Sequence, residues 1–292
     1  MATIPICCLL LWLFTQTSRP TLKQFDTTTH KDTTLISNYL KRKIVIDFVL
    51  PPAYAQQPEA LYPVLLMNDG QDLERLRMTE VLHKLYQQNA IKPLIVVAVH
   101  CGDRMQEYGT ASQADYKQRG AKAADYTQFV LEELLPHVQS KYRILAGPAH
   151  TFWCGFSLGG LSAFDITWHN PAVFGKVGVF SGSFWWRQKA YENHYDDHTD
   201  RIMQQVVRQT SLTDRHKSLK FWLQTGTDDE KDDRNQNGII DSIEDTLDLI
   251  VELEKKGYRW HRDLRYVEVQ GGQHNPDTWS KAMPDFLEWL FL

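Results

Sequence analysis

Thr151-Phe152-Trp153-Cys154-Gly155-Phe156-Ser157-Leu158-Gly159-Gly160-Leu161-Ser162-Ala163-Phe164-Asp165-Ile166 passes from an apolar run, through a glycine-flanked serine, into a helix-like run. Strand, sharp turn and helix in that order are what a nucleophile elbow requires. At such a bend the serine hydroxyl is raised above the sheet, and the flanking glycines let neighbouring backbone pass without Cβ clashes. Ser157 is therefore a candidate nucleophile. The same residues also describe an ordinary glycine-rich turn with a capping serine, so the weight of the motif depends on what surrounds it.

Outward from the elbow, strand-like and helix-like runs alternate, the pattern of a mostly parallel sheet covered on both faces. Strands are expected over residues 43–50, 63–67, 94–99, 151–154, 177–180, 219–225 and 266–270, several of them continuous apolar runs. Helical periodicity is strongest over 125–142, where Tyr126, Val130, Leu134 and Val138 recur at i, i+4 spacing. Other helices are expected over 73–88, 160–168, 243–256 and 278–290. No repeat and no Gly, Ser or Pro-rich linker divides the chain, so residues 19–292 read as one α/β domain. The polar, aromatic stretch 184–214 reads as an irregular insertion above the sheet.

The composition, 42% hydrophobic and 23% charged residues with a net charge of −4, is that of an ordinary globular protein and offers no basic surface for nucleic acid. Ile4 to Phe14 is an apolar run too short to span a bilayer but long enough for a signal-peptide core. Residues 1–18 are thus expected to be an export signal, with a periplasmic or extracellular destination and no stable membrane span. Removal of that segment would leave only Cys101 and Cys154, which is no disulfide framework.

A serine hydroxyl needs an imidazole to take its proton and an acid to hold that imidazole in the right tautomer. In α/β-hydrolases the three follow the order Ser, acid, His, the last two at strand ends. Downstream of Ser157, the strand at 219–225 runs into Gly226-Thr227-Asp228-Asp229-Glu230, and the strand at 266–270 into Gly271-Gly272-Gln273-His274. His274 is preferred over His261, which precedes its strand. An oxyanion hole needs two backbone N–H donors. Leu158, next after the nucleophile, supplies one; the loop Asn68-Asp69-Gly70-Gln71-Asp72 supplies the other, with Gln71 the candidate.

These segments together, Tyr62-Pro63-Val64-Leu65-Leu66-Met67-Asn68-Asp69-Gly70-Gln71-Asp72, Gly155 to Gly160, Gly226-Thr227-Asp228-Asp229, and Gly271-Gly272-Gln273-His274 with Trp279, resemble one esterase group of the α/β-hydrolases. That group includes enterochelin, feruloyl and acetyl xylan esterases, S-formylglutathione hydrolase and mycolyltransferases. The resemblance covers the chain from about Asn38 onward. It implies a serine esterase with Ser157 as nucleophile, His274 as general base, and Asp229, fourth in Gly-Thr-x-Asp, as triad acid, with Asp228 its neighbour. Asn68 departs from the pattern, since relatives often carry His there.

A second site follows the acid loop. Asp233-Arg234-Asn235-Gln236-Asn237-Gly238-Ile239-Ile240-Asp241-Ser242-Ile243-Glu244 fits the EF-hand pattern D-x-[DN]-x-[DN]-G-x5-E. Calcium would take side-chain oxygens of Asp233, Asn235, Asn237, Asp241 and Glu244 and the carbonyl of Ile239. The plain alternative is an acidic, Asn-rich surface loop. A structural calcium that fixes the loop carrying Asp229 is expected.

Trp185 and Trp186 follow the strand at 177–180 and are candidates for a flat wall against an aromatic or sugar group of a small-molecule or carbohydrate ester. Three readings follow: a serine carboxylic-ester hydrolase, an acyltransferase on the same fold, and a non-catalytic calcium- or carbohydrate-binding protein on a hydrolase scaffold. The presence of all three triad members favours the first.

Overall fold

The computed structural model describes residues 26–292. The apolar run at 4–14 and the expected export segment lie outside the described residues. The chain enters through β1 (Thr28–Asp32), a short hairpin of β2 (Ile36–Ser37) and β3 (Arg42–Lys43), and β4 (Ile46–Leu50). It then alternates through β5 (Val64–Asn68), α1 (Met78–Gln87), β6 (Ile95–Val99), α2 (Arg104–Glu107) and α3 (Ala123–Gln128). A π-helical segment, Phe129–Leu134, joins α3 to α4 (Leu135–Lys141). There follow β7 (Thr151–Phe156), α5 (Leu158–His169), β8 (Lys176–Phe180), α6 (Asp197–Asp200), α7 (Ile202–Gln209) and β9 (Lys220–Asp228). The chain ends in α8 (Asp241–Lys255), β10 (Leu264–Gln273) and α9 (Pro276–Trp289).

Eight strands form one sheet in the order β1-β4-β6-β5-β7-β8-β9-β10. Pairing is parallel from β6 to β10 and antiparallel only where β4 meets β6 and β1 meets β4. This is the mostly parallel sheet that the alternating pattern predicts and the α/β-hydrolase arrangement that the family resemblance implies. The residues explain it: Val64–Asn68, Ile95–Val99 and Thr151–Phe156 are buried at every position, as strands covered on both faces must be. The stripe Tyr126, Val130, Leu134 and Val138 has no exposed surface and seats the long helix on the sheet.

Chain direction across the sheet reverses between β5 and β7, with β6 placed outside β5 and β8 outside β7. Ligands gather at such switch points, beyond the carboxyl ends of the strands. The loop after β5 and the turn after β7 both open there.

The stretch at 184–214 is more ordered than its composition suggests. It contains α6 and α7, and Ile202, Met203 and Val207 enter the main core, 3% exposed or less. An ionic network around the buried Arg201–Asp245 pair ties it to α8: Arg201 bonds Asp245 at 2.7 Å and Asp248 at 2.6 Å, and Arg234 reaches Asp197 at 2.8 Å and Asp245 at 2.9 Å. Guanidinium forks match two carboxylates at once, which suits arginine to this interior position.

Candidate active site

Ser157 occupies the bend between β7 and α5 at φ 53°, ψ −122°, a region costly for a residue with a side chain. Surrounding bonds hold it there. Its N–H donates to Phe180 O at 2.8 Å, and its carbonyl accepts from Gly160 at 3.0 Å, Leu161 at 3.1 Å and Ser183 at 3.1 Å. Gly155 is required by closeness alone, since a Cβ there would lie 2.2 Å from Gly159 O. The Ser157 hydroxyl is half-buried, with Ser183 Oγ 3.4 Å away.

The loop after β5 is locked onto the same turn. Asn68, fully buried, donates its amide to Gly159 O at 2.7 Å and accepts from the Tyr126 hydroxyl at 2.7 Å. The residue that departs from the family pattern thus clamps the loop after β5 to α5. Asp69 is left-handed at φ 59°, with its N–H held by Tyr108 Oη at 3.0 Å. The following 3-10 turn begins its bonds at Asp72 N–H and Leu73 N–H, which leaves Gln71 N–H outside the ladder. Leu158, first residue of α5, likewise has an N–H beyond the reach of intrahelical bonding. Two backbone donors therefore remain free on either side of the switch point.

Arg104 carries no motif and escaped the sequence reading. Its Nε and Nη2 grip Asp69 at 2.8 and 3.0 Å, and Nη2 also donates to Phe156 O at 3.0 Å. One side chain thereby braces the loop after β5 against Phe156, the residue before Ser157.

Asp229 and His274 lie beyond the ends of two further neighbouring strands. The β9–β10 ladder shifts register at Gly271-Gly272 and resumes with Gln273 opposite Asp228, which places the next residue of each strand side by side. Asp228 is exposed, whereas Asp229 is 9% exposed with both carboxylate oxygens buried and lacking a well-directed donor. Burial pushes its carboxyl above the usual range, opposed by the Gly226 backbone, the Ser181 hydroxyl and His274. His274 keeps an exposed edge, yet the protein packed around it holds the imidazole below its ordinary value; the Asp229 charge opposes that shift and Arg104 adds to it. The lowered value favours the neutral imidazole, the form that accepts a proton. No hydrogen bond joins His274 to Ser157 Oγ among the described residues; such contacts are commonly long in ligand-free sites and tighten on binding. His261, by contrast, is exposed at the start of β10, the opposite end of the sheet.

Of the tryptophan pair, only Trp185 retains surface, beneath the Arg119 guanidinium at 4.8 Å. The expectation for Trp186 is corrected: it has no exposed surface and packs against Gly109 and Gly120, where an added Cβ would lie 2.9 and 2.8 Å from its ring. An aromatic residue past a strand end reads alike in sequence whether it meets ligand or core. Cys154 is fully buried, and burial drives its thiol far up, so it is a packing residue.

In the loop at 233–244, four of the expected ligands converge. Asn235 donates its amide to both Glu244 oxygens at 2.8 and 2.9 Å, and Asn237 to one of them at 2.7 Å. Asp233 accepts the N–H groups of Asn237 and Gly238 at 3.1 and 2.9 Å, with Gly238 at φ 88°. A half-turn of each Asn amide would present oxygen, the donor a hard cation takes, at the cost of the bonds that Asn235 Oδ1 accepts from Asn237 N–H at 3.1 Å and Asn237 Oδ1 from Ile239 N–H at 2.8 Å. Two of the expected ligands also face Arg234: Asp241 accepts its backbone N–H at 2.9 Å and pairs with its guanidinium at 3.0 Å, and Glu244 pairs with that guanidinium at 3.2 Å.

The Esterase family model matches residues 37–290. The "Uncharacterized protein YbbA" of Bacillus subtilis (strain 168) is 22% identical over 246 residues, covering 83% of this chain and 90% of its own. Among solved structures, a ferulic acid esterase superposes with a TM-score of 0.68 at 18% identity, covering 91% of this chain and 98% of that one. An IroE-like serine hydrolase from Shewanella oneidensis gives 0.67 at 20% identity, covering 91% and 80%. The enterobactin esterase of Shigella flexneri gives 0.69 at 19% identity, covering 93% of this chain and 62% of that longer one.

Proposed function

We propose, from the premise that this chain belongs to the Esterase family, that it hydrolyses carboxylic esters through an acyl-enzyme on Ser157. His274 is the base, and Asp229 the acid that orients it. The observation that carries this reading is a strained, glycine-flanked serine after β7 in the same sheet whose strands β9 and β10 run, in register, into the buried carboxylate of Asp229 and into His274. His274 takes the Ser157 proton as Oγ attacks the ester carbonyl, and Leu158 and Gln71 N–H groups receive the charge that develops on oxygen. The imidazolium then protonates the departing alcohol. Water, deprotonated by His274, attacks the acyl-enzyme and releases the acid, restoring Ser157. The names of the three structural neighbours, two esterases and a serine hydrolase, favour water over an acceptor alcohol.

Hydrolysis of p-nitrophenyl acetate as a function of pH tests this. Only neutral His274 accepts a proton, and burial lowers its pKa, so kcat/KM should rise to a plateau with a midpoint below the ordinary imidazole value of about 6.5. Turnover no faster than buffer, or a midpoint above neutrality, would sink the assignment. Siderophore, plant polysaccharide and simple acetyl esters form the screen for the natural acyl group, with Trp185 the residue offered to a ring. The apolar run at 4–14 supports export.

A structural calcium ion held by Asp233, Asn235, Asn237, Glu244 and the Ile239 carbonyl is the second part of the proposal. Bound there it would supply fixed positive charge and order the loop between Asp229 and α8. Calcium at about 100 times its dissociation constant should add roughly 2.7 kcal/mol of stability, and Glu244→Gln should erase the gain. Equal melting temperatures in calcium and in chelator would remove the metal from the account.

A further inference from the structure

Asp69, between β5 and the Gln71 donor, is 2% exposed. Its Oδ2 lies so near α5 that a Cβ on Gly159, the residue after the Leu158 donor, would stand 2.6 Å from it. Its Oδ1 accepts the Gln71 side-chain amide at 3.1 Å. One carboxylate thus touches the residue that bears one N–H donor and the neighbour of the residue that bears the other. A bare negative charge there would oppose the charge that an ester carbonyl oxygen gains as Ser157 attacks. A buried carboxylate is also costly unless it is paired.

Arg104, the first residue of α2, answers both. Its guanidinium meets Asp69 as a fork, Nε on Oδ1 at 2.8 Å and Nη2 on Oδ2 at 3.0 Å, a geometry that a lysine cannot copy. Nη2 also donates to Phe156 O at 3.0 Å, so the same group reaches the residue before Ser157. The segment around α2 is built to hold it. Tyr108 lies under the guanidinium at 5.5 Å and accepts the Asp69 N–H at 3.0 Å through its hydroxyl. Glu107, 3% exposed, accepts the Gly102 N–H at 3.0 Å and takes Nε and Nη2 of Arg42 at 2.7 Å each. Backbone and carboxylate of Asp69 are therefore gripped from one short stretch of chain, residues 104–108.

We propose that Arg104 is a positioning residue for the oxyanion site with two tasks: its fork fixes the loop after β5 against the Ser157 turn, and its charge cancels that of Asp69. The Leu158 and Gln71 N–H groups then meet the developing oxyanion without an unpaired carboxylate beside them. This rests on the reading of Ser157 as nucleophile and of those two N–H groups as the donors. Its distinctive consequence is that Asp69 harms the reaction once Arg104 is gone, so removing the acid as well should return part of the lost rate.

The test measures kcat and KM for p-nitrophenyl acetate in the parent, Arg104→Gln, Arg104→Lys, Asp69→Asn and the Arg104→Gln, Asp69→Asn double variant, with near-UV circular dichroism as the check on folding. Arg104→Gln should lower kcat by about a hundredfold with KM changed by less than about twofold, since the oxyanion forms only on the way to the acyl-enzyme. The double variant should recover about tenfold of that loss. Arg104→Lys keeps the charge but not the fork, and should fall by about tenfold. A double variant as slow as Arg104→Gln, or slower because the losses multiply, overturns the proposal, since a mere clamp would behave so. Parent kcat in Arg104→Gln overturns it too; where that variant does not fold, parent kcat in Arg104→Lys does the same. If Ser157→Ala keeps the parent rate, the nucleophile reading fails and this inference with it; if Ser157→Ala is inactive while Arg104→Gln is unaffected, only this inference falls.

Discussion

Ser157→Ala is expected to lower kcat for p-nitrophenyl acetate by about 10^4- to 10^6-fold, with His274→Ala falling in the same range. The expectation follows from what each group does. Without Oγ no acyl-enzyme forms; without the imidazole the hydroxyl keeps its proton and is a weak nucleophile. Because the two act as a unit, the double variant should be hardly slower than either single one, the residual rate coming from the Leu158 and Gln71 donors. Folding is not at stake. Among the described residues Ser157 Oγ has a single hydrogen-bonding contact, 3.4 Å to Ser183 Oγ, and alanine meets the same backbone strain, so melting temperatures should match the parent's. Steady-state rates with burst titration of active sites decide the matter. A Ser157→Ala protein retaining a tenth of the parent rate, or a double variant whose losses multiply, would mean that another group carries the reaction.

How far the sequence speaks for itself depends on whether burial or distance made the feature. β5, β6 and β7 are covered on both faces, so they read as apolar runs, and the elbow between β7 and α5 follows from its glycines. β1 is an edge strand, Thr28-Thr29-His30-Lys31-Asp32, whose polar residues carry no such signal. α7 stays hidden because Ile202, Met203 and Val207 are interleaved with glutamines and an arginine over only eight residues. At the site, the choice of Asp229 over Asp228 rested on family likeness alone; what separates them is the ladder placing Gln273 opposite Asp228, a pairing between residues far apart in the chain. Arg104 was out of reach for the same reason, since its partners Asp69 and Phe156 are dozens of residues away.

Gly155→Ala should be among the most damaging single-methyl changes in the chain. A Cβ at this position would lie 2.2 Å from Gly159 O, 2.5 Å from Gly159 C and 2.9 Å from Gly160 N, all backbone of the first turn of α5. No rotamer relieves such contacts, so α5 must move off β7. That movement strains the Asn68 to Gly159 bond of 2.7 Å and the Ser157 turn together. Overpacking of this kind costs about 3 kcal/mol, and displacement of the nucleophile by about 1 Å removes roughly a further hundredfold in rate from the molecules that still fold. Gly160→Ala provides the comparison. Its Cβ meets Val179 Cγ1 at 2.8 Å, a side chain, and its nearest backbone neighbour is Gly155 O at 3.1 Å. Small adjustments of a valine methyl accommodate that, at about 1 kcal/mol. Urea unfolding midpoints and the rate per titrated active site should therefore rank Gly155→Ala well below Gly160→Ala. Equal costs would show that the elbow and α5 yield as freely as a side chain, and that closeness of backbone is not what makes Gly155 necessary.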